Sequence, residues 1–451
     1  MLLCAMFILT GCPDNSGGET PTAATSQPAP EEPAPAPAET PAPTPAADAY
    51  QPTLAVEPTM PTRYGANDWE VRRQAHSEDP VDAEFIANLN EFAYKTSATV
   101  LAQAEANRNF SPLSLYYALA LTATGTAGNT QAEFSQLLGT TDMQALSKQS
   151  GNLFRQLYTD NDITQLKLAN SLWLREGFKV NDAYVANAVE QFYAWVYNAD
   201  FTNPEAAIAV ARWIAANTNG AIEPQITLNR DTMMLIINTV YFYDEWQEAF
   251  AKEETAPDKF FKADGSEVTA DFMQKTFGSK VYYKGEGFSH IDLGLKGQGT
   301  MAFILPDKDV DMNSFLADAA KLKAAFESGA EDHAKVILKL PKFKFGSEFE
   351  LVEALQKLGL NDAFGDAADF SALSPEGGLY ISDVIQQSHI GLDENGVEAA
   401  AYTMIAIAKM SLPIEQEKIV ELKFDRPFLF GIKAENGALL FIGVCNVPGV
   451  E

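Results

Sequence analysis

The sequence predicts one large domain of mixed α+β class with large, predominantly antiparallel sheets. Two runs, Leu166 to Leu174 and Val336 to Phe345, alternate their side chains as strands do. Met233 to Phe242 is apolar almost throughout, which is typical of a strand covered on both faces. The run after Pro112, to Leu121, is apolar nearly all round and predicts a buried helix. No linker or repeat divides the chain after about residue 80.

Other patterns add elements in chain order. A first helix is indicated by apolar residues that share one face, and a late amphipathic helix ends at a glycine. Two further runs predict strands, one of them feeding the stretch after Leu392. These elements are the helix around Phe85, Leu89, Phe92 and Ala93, the helix from Phe349 to Leu358 stopped by Gly359, and the strands Leu379 to Leu392 and Leu439 to Cys445.

The chain opens with a short apolar run, MLLCAMFILTGC, that is too brief to span a bilayer. Its end, Leu9-Thr10-Gly11-Cys12, resembles a bacterial lipoprotein signal. Cleavage before Cys12 would remove residues 1–11 and leave a thiol to carry the lipid anchor. No Lys or Arg precedes the run, so a plain secretory signal and a misassigned start are the alternatives.

Residues 12–80 predict a disordered tether between this signal and a domain at 81–451. Thirteen of the 24 prolines lie between Pro13 and Pro61, among Ala, Thr, Ser and Glu. Such a composition cannot bury enough apolar surface to fold and favours an extended chain. The formal net charge of -29 argues against nucleic acid and heparin, which are bound through Lys and Arg clusters.

The sequence carries no catalytic or metal-binding motif. It lacks G-x-S-x-G, H-E-x-x-H, a P-loop and G-x-G-x-x-G, and its four histidines do not lie in a triad pattern. Cys445 sits in an apolar run and predicts an inert core thiol. We therefore expect neither an enzyme nor a cofactor.

The stretch from Asp393 to Pro413 is ambiguous as local structure. From Val397, alternate residues give a strand pattern with one more apolar face, whereas Glu398 and the three alanines after it favour a helix. Periodicity alone does not decide between a strand and a helix.

This stretch resembles the hinge of the reactive-centre loop of serpins, and eight further blocks resemble serpin signatures in the family's order. The hinge residues are Glu394, Gly396, Val397, Glu398, Ala399, Ala400 and Ala401. The other blocks are Asn109 to Ser114, Gly125 to Thr130, Ala169 to Leu174, Asn217 to Gly220, Asn238 to Phe242, Leu340 to Phe343, Ala368 to Ser371 and Arg426 to Phe430. Together they cover roughly residues 81–451.

The resemblance implies the serpin fold, with about nine helices and an exposed loop at about 396–420. It implies a monomeric suicide-substrate inhibitor: a protease cuts the loop, becomes acylated, and is trapped when the hinge side inserts into the central sheet. The resemblance also assigns two groups of residues that support insertion, each by its position in the matching serpin blocks. The shutter under the opening sheet is Ser111, Ser114, Asn238 and Gln386, and the breach where insertion starts is Trp246 with the ion pair of Lys342 and Glu394.

The family's spacing from Gly396 places the scissile bond at Met410–Ser411, with Lys409–Met410 as the alternative. A methionine before the cut implies chymotrypsin-, elastase- or subtilisin-like serine proteases, whereas a lysine would imply trypsin-like ones. Val397 and Tyr402 depart from the usual hinge. They favour the rival hypothesis of a non-inhibitory serpin that acts as a binding or chaperone-like module or as a cleaved substrate.

Overall fold

The computed structural model describes residues 2–11, 50–65, 68–102, 104–297, 299–327, 329–397 and 418–449. This part of the chain contains ten α-helices and two nine-stranded sheets. Among the described helices, none is long and apolar enough to cross a membrane. The mixed α and β class with mostly antiparallel sheets is confirmed.

The helices are numbered in chain order. They are α1 Trp69–Glu78, α2 Ala83–Val100, α3 Pro112–Ala123, α4 Gly128–Leu138, α5 Met143–Leu157, α6 Asp182–Phe192, α7 Pro204–Asn217, α8 Met312–Leu316, α9 Ala319–Glu327 and α10 Val352–Lys357.

The strands follow the same numbering. The first nine are β1 Leu2–Gly11, β2 Thr53–Val56, β3 Arg108–Phe110, β4 Thr159–Asp160, β5 Thr164–Arg175, β6 Ala194–Ala199, β7 Thr232–Glu245, β8 Ala256–Phe261 and β9 Glu267–Gly285. The others are β10 Phe288–Gly294, β11 Thr300–Pro306, β12 Ala330–Pro341, β13 Phe343–Glu350, β14 Leu379–Leu392, β15 Gly396–Val397, β16 Ile419–Lys423, β17 Phe428–Lys433 and β18 Leu439–Cys445.

The first sheet has the order β13-β14-(β1 and β15)-β7-β5-β6-β2, with β4 beside β5. Its pairings are antiparallel except that of β5 with β6. The second sheet has the order β16-β12-β9-β10-β11-β17-β18-β3, with β8 beside β9, and only β12 and β16 pair in parallel.

A large apolar core joins the two sheets around α3, every residue of which is buried. Pro112 stands in the first turn of α3, and the side chain of Ser111 accepts a hydrogen bond from the backbone N–H of Ser114, so it caps the helix. A smaller core lies on the opposite face of the first sheet, under α7. The all-round apolar helix predicted from sequence is confirmed in this buried position.

Two sequence predictions differ from the structure in extent, and a third agrees with it. The alternating run Val336 to Phe345 is two strands, because the chain leaves the second sheet after Pro341 and enters the first at Phe343. The late helix begins at Val352, since Phe349 still belongs to β13. The predicted strand Leu379–Leu392 has the bounds of β14.

The folded part of the chain extends further toward the N-terminus than the predicted boundary at residue 81. Within the predicted tether, Thr53–Val56 pairs with β6 at the edge of the first sheet, and Trp69–Glu78 is helical. The Tyr50 hydroxyl accepts a hydrogen bond from the backbone N–H of Asp200 at 2.7 Å. Edge pairing of this kind satisfies backbone groups that would otherwise face water.

The apolar run at the start of the chain, predicted to be removed as a signal, forms β1 in the unprocessed chain. Leu2–Gly11 lies between β7 and β14 and pairs with both in antiparallel orientation. Its removal before Cys12 stays a prediction, and Cys12 itself lies outside the described residues.

Candidate functional site: a slot between two strands

The centre of the first sheet contains a slot one strand wide, bounded by β7 on one side and β14 on the other. At its upper end lies β15, Gly396–Val397, and along the remainder lies β1. Every predicted shutter and breach residue adjoins this slot or its upper end.

The predicted hinge enters the upper end of the slot. Gly396 pairs with Glu245, and Val397 pairs with Asp244 on β7 and with Leu392 on β14. Val397 has 0% of its surface exposed and joins the main core. Its uncharged side chain, a departure from the usual hinge, is therefore accommodated as an inserted residue.

Gly396 permits this entry because it has no Cβ. A Cβ at this position would overlap the carbonyl oxygen of Asp244 and the Cα of Glu245. Here the glycine serves a close backbone approach between neighbouring strands.

The predicted breach ion pair is present beside the hinge. Lys342 Nζ lies 3.1 Å from Oε2 of Glu394, whose other oxygen accepts a hydrogen bond from the Thr255 hydroxyl at 2.8 Å. The backbone N–H of Phe250 donates to the Glu394 carbonyl at 2.9 Å. Glu394 is only 4% exposed, so it anchors the chain just before the hinge through both side chain and backbone.

The electrostatics of Glu394 favour its charged form. Burial by itself raises the pKa of Glu394, but hydrogen bonds from its own backbone N–H and from Thr255, together with Lys342, outweigh burial and lower that pKa below its ordinary value. The carboxylate is therefore kept charged and paired.

Trp246 closes the upper end of the slot from inside. Its indole N–H donates to the Asp393 carbonyl at 3.0 Å, and its backbone N–H donates to the Asn395 carbonyl at 2.9 Å. Its ring packs against Phe250 and Phe303 and is almost fully buried. The predicted breach role of Trp246 therefore has contacts that link it to the chain leading into the hinge.

The predicted shutter residues form two hydrogen-bonded groups under the middle of the slot. The Ser114 hydroxyl donates to the Asn238 side chain of β7. On the β14 side, the Gln386 amide accepts from the Ser111 backbone N–H at 3.2 Å and donates to the Ser111 carbonyl at 3.1 Å. The Ser111 hydroxyl donates to the Leu440 carbonyl at 2.7 Å. The start of α3 thus holds both borders of the slot.

Asn170 belongs to this network, although the sequence predictions did not assign it. The amide of Asn238 donates to Asn170 Oδ1 at 2.7 Å, and Asn170 donates onward to the Phe192 carbonyl at 2.6 Å. An asparagine in the apolar run of β5 was the available signal, because a buried amide needs hydrogen-bond partners.

The rest of the predicted loop lies outside the described residues. This applies to Glu398, Ala399, Ala400, Ala401, Tyr402, Lys409, Met410 and Ser411. The chain is described again from Lys418, where β16 begins one residue later and joins the second sheet.

No group of three or more His, Cys, Asp or Glu residues that could hold a metal was found among the described residues. His290 and Asp292 are contacting residues of β10. His290 Nε2 lies 2.8 Å from Asp292 Oδ1, and Lys433 lies 3.2 Å from the other oxygen. This polar cluster lies in the second sheet, away from the slot, with His290 buried and Asp292 and Lys433 half-buried.

The strand-wide slot, the polar cluster beneath it and the hinge seated at its upper end together form a site where a further length of chain can pair as a strand. The family profile for serpin (serine protease inhibitor) matches residues 87–448. The chain belongs to the serpin family.

Relatives and solved structures agree with this assignment. A protein named uncharacterized serpin-like protein, from Methanosarcina acetivorans, is 31% identical over 83% of this chain and 88% of its own length. An alpha-1-antitrypsin homolog from Cyprinus carpio is 30% identical over 71% of this chain and 86% of its own length.

Among solved structures, the native state of the thermophilic serpin tengpin matches with a TM-score of 0.74 and 25% identity, over 88% of this chain and 100% of that chain. Serpin48 of the insect Tenebrio molitor matches with a TM-score of 0.71 and 29% identity, over 82% and 99%. The serpin fold is thereby confirmed, and the family consists of protease inhibitors, not enzymes.

Proposed function

We propose that this protein is a suicide-substrate inhibitor of serine endopeptidases that acts by inserting its own loop into the slot. The observation that carries the proposal is the seated hinge: Gly396 and Val397 already pair at the upper end of the slot, and Val397 is buried there. Continued pairing from this start would lead the following residues between β7 and β14.

Insertion is favourable on energetic grounds. Each added backbone hydrogen bond contributes about 0.5–1.5 kcal/mol net, and a dozen inserted residues would add many of them. In the sequence after Val397, the inward set Ala399, Ala401, Thr403, Ile405 and Ile407 is small or apolar, whereas Glu398 and Tyr402 belong to the outward set. The shutter hydrogen bonds from Ser111, Ser114 and Gln386 hold the slot borders from beneath and do not occupy the path of the new strand.

The scissile bond proposed for this inhibitor is Met410–Ser411. A methionine at the cut suits chymotrypsin-, elastase- and subtilisin-like proteases. Oxidation of Met410 to the sulfoxide would make its side chain polar, and we expect it to weaken inhibition.

The proposed location is the bacterial cell envelope, with a lipid on Cys12. The tether proposed here is the Pro-rich stretch 13–49, whose 37 residues would span roughly 115 Å if extended at about 3.1 Å per residue. The expected observation is an acylated N-terminal peptide by mass spectrometry and a membrane-bound protein, both lost in Cys12→Ala.

The inhibitor hypothesis is tested by incubating the processed protein, residues 12–451, with chymotrypsin, an elastase, a subtilisin and trypsin. We expect a complex stable in SDS and a C-terminal peptide that begins at Ser411. Chymotrypsin with its active-site serine blocked is the control and should give no complex. Clean cleavage without complex, and without a gain in thermal stability, would support the non-inhibitory alternative.

A further inference from the structure

The N-terminal strand is the most unusual part of this sheet. Leu2–Gly11 pairs along its length with both β7 and β14, so it lies in the interior of the sheet. Met6, at its middle, is buried in the small core together with Trp173, Leu235 and Ile237. An apolar strand with partners on both sides is a well-satisfied element of the sheet.

The register of β1 continues the register of the hinge. Val397 pairs with Asp244 and Leu392. If the chain continued along the slot from Val397, the residue three positions later, Ala400, would lie opposite Tyr241 and His389. Leu2 pairs with Tyr241 and His389. The first residue of β1 therefore takes the place that Ala400 would take in an inserted loop.

We propose that Leu2–Gly11 is a built-in occupant of the slot that keeps the unprocessed chain from inserting its loop. Both segments are apolar, both run antiparallel to β7 and β14, and both use the same backbone partners, so they exclude each other. The proposal rests on the proposed inhibitory function. A chain that retains Leu2–Gly11 cannot insert its loop, a state called the lock below, and removal of this run frees the slot.

The position of β1 is tested first by disulfide trapping in the full chain, with Cys12→Ser so that the run is retained. Cys4 is the register partner of Gln387. Opposed residues in antiparallel strands have Cα atoms about 4.5–5.5 Å apart, which a disulfide bridges. We expect Gln387→Cys to form a bond to Cys4 under mild oxidation, identified by the mass of the linked peptides.

Glu348→Cys is the matched control. Glu348 is the register partner of Gln387 on its other side, on β13, so it lies two strand spacings, about 10 Å, from the Cys4 position. We expect at least about tenfold less Cys4 disulfide in this variant. Equal yields in both variants, or no disulfide to Cys4 in the Gln387→Cys variant, would overturn the proposal.

The lock is tested by uptake of a fluorescent synthetic peptide with the sequence of residues 398–409, EAAAYTMIAIAK. The full chain should exclude it. Ala5→Pro should admit it at least about tenfold faster, since proline cannot donate a ladder hydrogen bond inside a sheet. Ala36→Pro, in the Pro-rich stretch, should behave as the unmodified chain.

Equal peptide uptake by the full chain and Ala5→Pro would overturn the lock. Protease trapping is measured separately on the same proteins. If Ala5→Pro takes up the peptide and yet forms no complex with chymotrypsin, the inhibitory function fails while the lock stands. If the full chain traps chymotrypsin as well as Ala5→Pro does, the lock fails while the function stands.

Discussion

The strands that border the slot in the first sheet and the strands β17 and β18 of the second sheet are held by different kinds of contact. Under the slot of the first sheet, the buried groups include the polar side chains of Asn170, Asn238 and Gln386. In the second sheet, every residue of β18 is buried and none is polar, and all of β17 except Lys433 is buried and apolar. The borders of the slot are thus held partly by hydrogen-bonded side chains, whereas β17 and β18 are held by apolar packing.

This difference has a physical reason. Apolar packing depends on tight complementary shape, and a shift of neighbouring strands loses many contacts together. A side-chain hydrogen bond contributes only about 1 kcal/mol net, and it can be exchanged for another when strands move apart. We infer that the second sheet is the fixed frame and the first sheet the adaptable part.

The largest effect is expected in the frame. Phe430 of β17 is fully buried, and its ring centre lies 5.2 Å from that of Phe343 and 6.2 Å from that of Phe345. Phe430→Ala should lower the free energy of unfolding by about 3–5 kcal/mol, because it leaves a cavity. Urea unfolding measures this, with Phe430→Leu as a milder control. A loss below about 1 kcal/mol would contradict the frame assignment.

A smaller but different effect is expected at the centre of the first sheet. Asn238→Ala removes hydrogen-bond partners of both Ser114 and Asn170 and should cost about 1–3 kcal/mol. Because these bonds fix the β7 border of the slot, Asn238→Ala in the processed chain should also take up the loop peptide faster than the unmodified processed chain does. Asn313→Ala, at an exposed position, is the control. If Asn238→Ala changed stability alone, the network would be structural only.

A pH-dependent effect is expected at the breach. The pKa of Glu394 is lowered in the folded protein, so its contribution to stability is full above the ordinary carboxyl pKa of about 4.3 and is lost as pH falls through the lower folded value. Thermal unfolding between about pH 5 and about pH 2 should show this loss. Glu394→Gln should flatten that part of the profile. An unchanged profile in this variant would show that Glu394 is not the group responsible.

The smallest expected effect is at Cys445 of β18. The thiol is fully buried, and burial raises its pKa far above the ordinary value. Its alkylation rate should therefore stay negligible before and after loop cleavage, and rise only on unfolding. Reaction with iodoacetamide, followed by mass spectrometry, checks this. Faster labelling after cleavage would mean that the second sheet also opens.

Much of this architecture follows from local pattern. The buried helix α3 and the strands β7, β14 and β18 are long apolar or alternating runs, so their type does not depend on distant partners. The resemblance of short blocks to serpins placed the shutter and breach residues. The structure brings Ser111, Ser114, Asn238, Gln386, Trp246, Lys342 and Glu394 to the borders of one slot.

What could not be predicted depends on distant pairing. Val336 to Phe345 alternates within each of two strands, and the buried residues pass from even positions in β12 to odd positions in β13 because the chain crosses from one sheet to the other. The short strand β2 gains its structure only from β6. The apolar run of β1 has the composition of a leader, and its pairing with β7 and β14 cannot be predicted from that composition.

The parallel pairing of β16 with β12 has a consequence for the cut protein. The chain before the loop ends in the first sheet, whereas the chain after it is built into the second, where the Lys335 N–H donates to the Lys418 carbonyl and β17 and β18 lie between β11 and β3. A break anywhere between residues 398 and 417 therefore yields two polypeptides that remain one particle. The nicked protein should elute from a sizing column like the intact one, and its C-terminal fragment should separate only in denaturant.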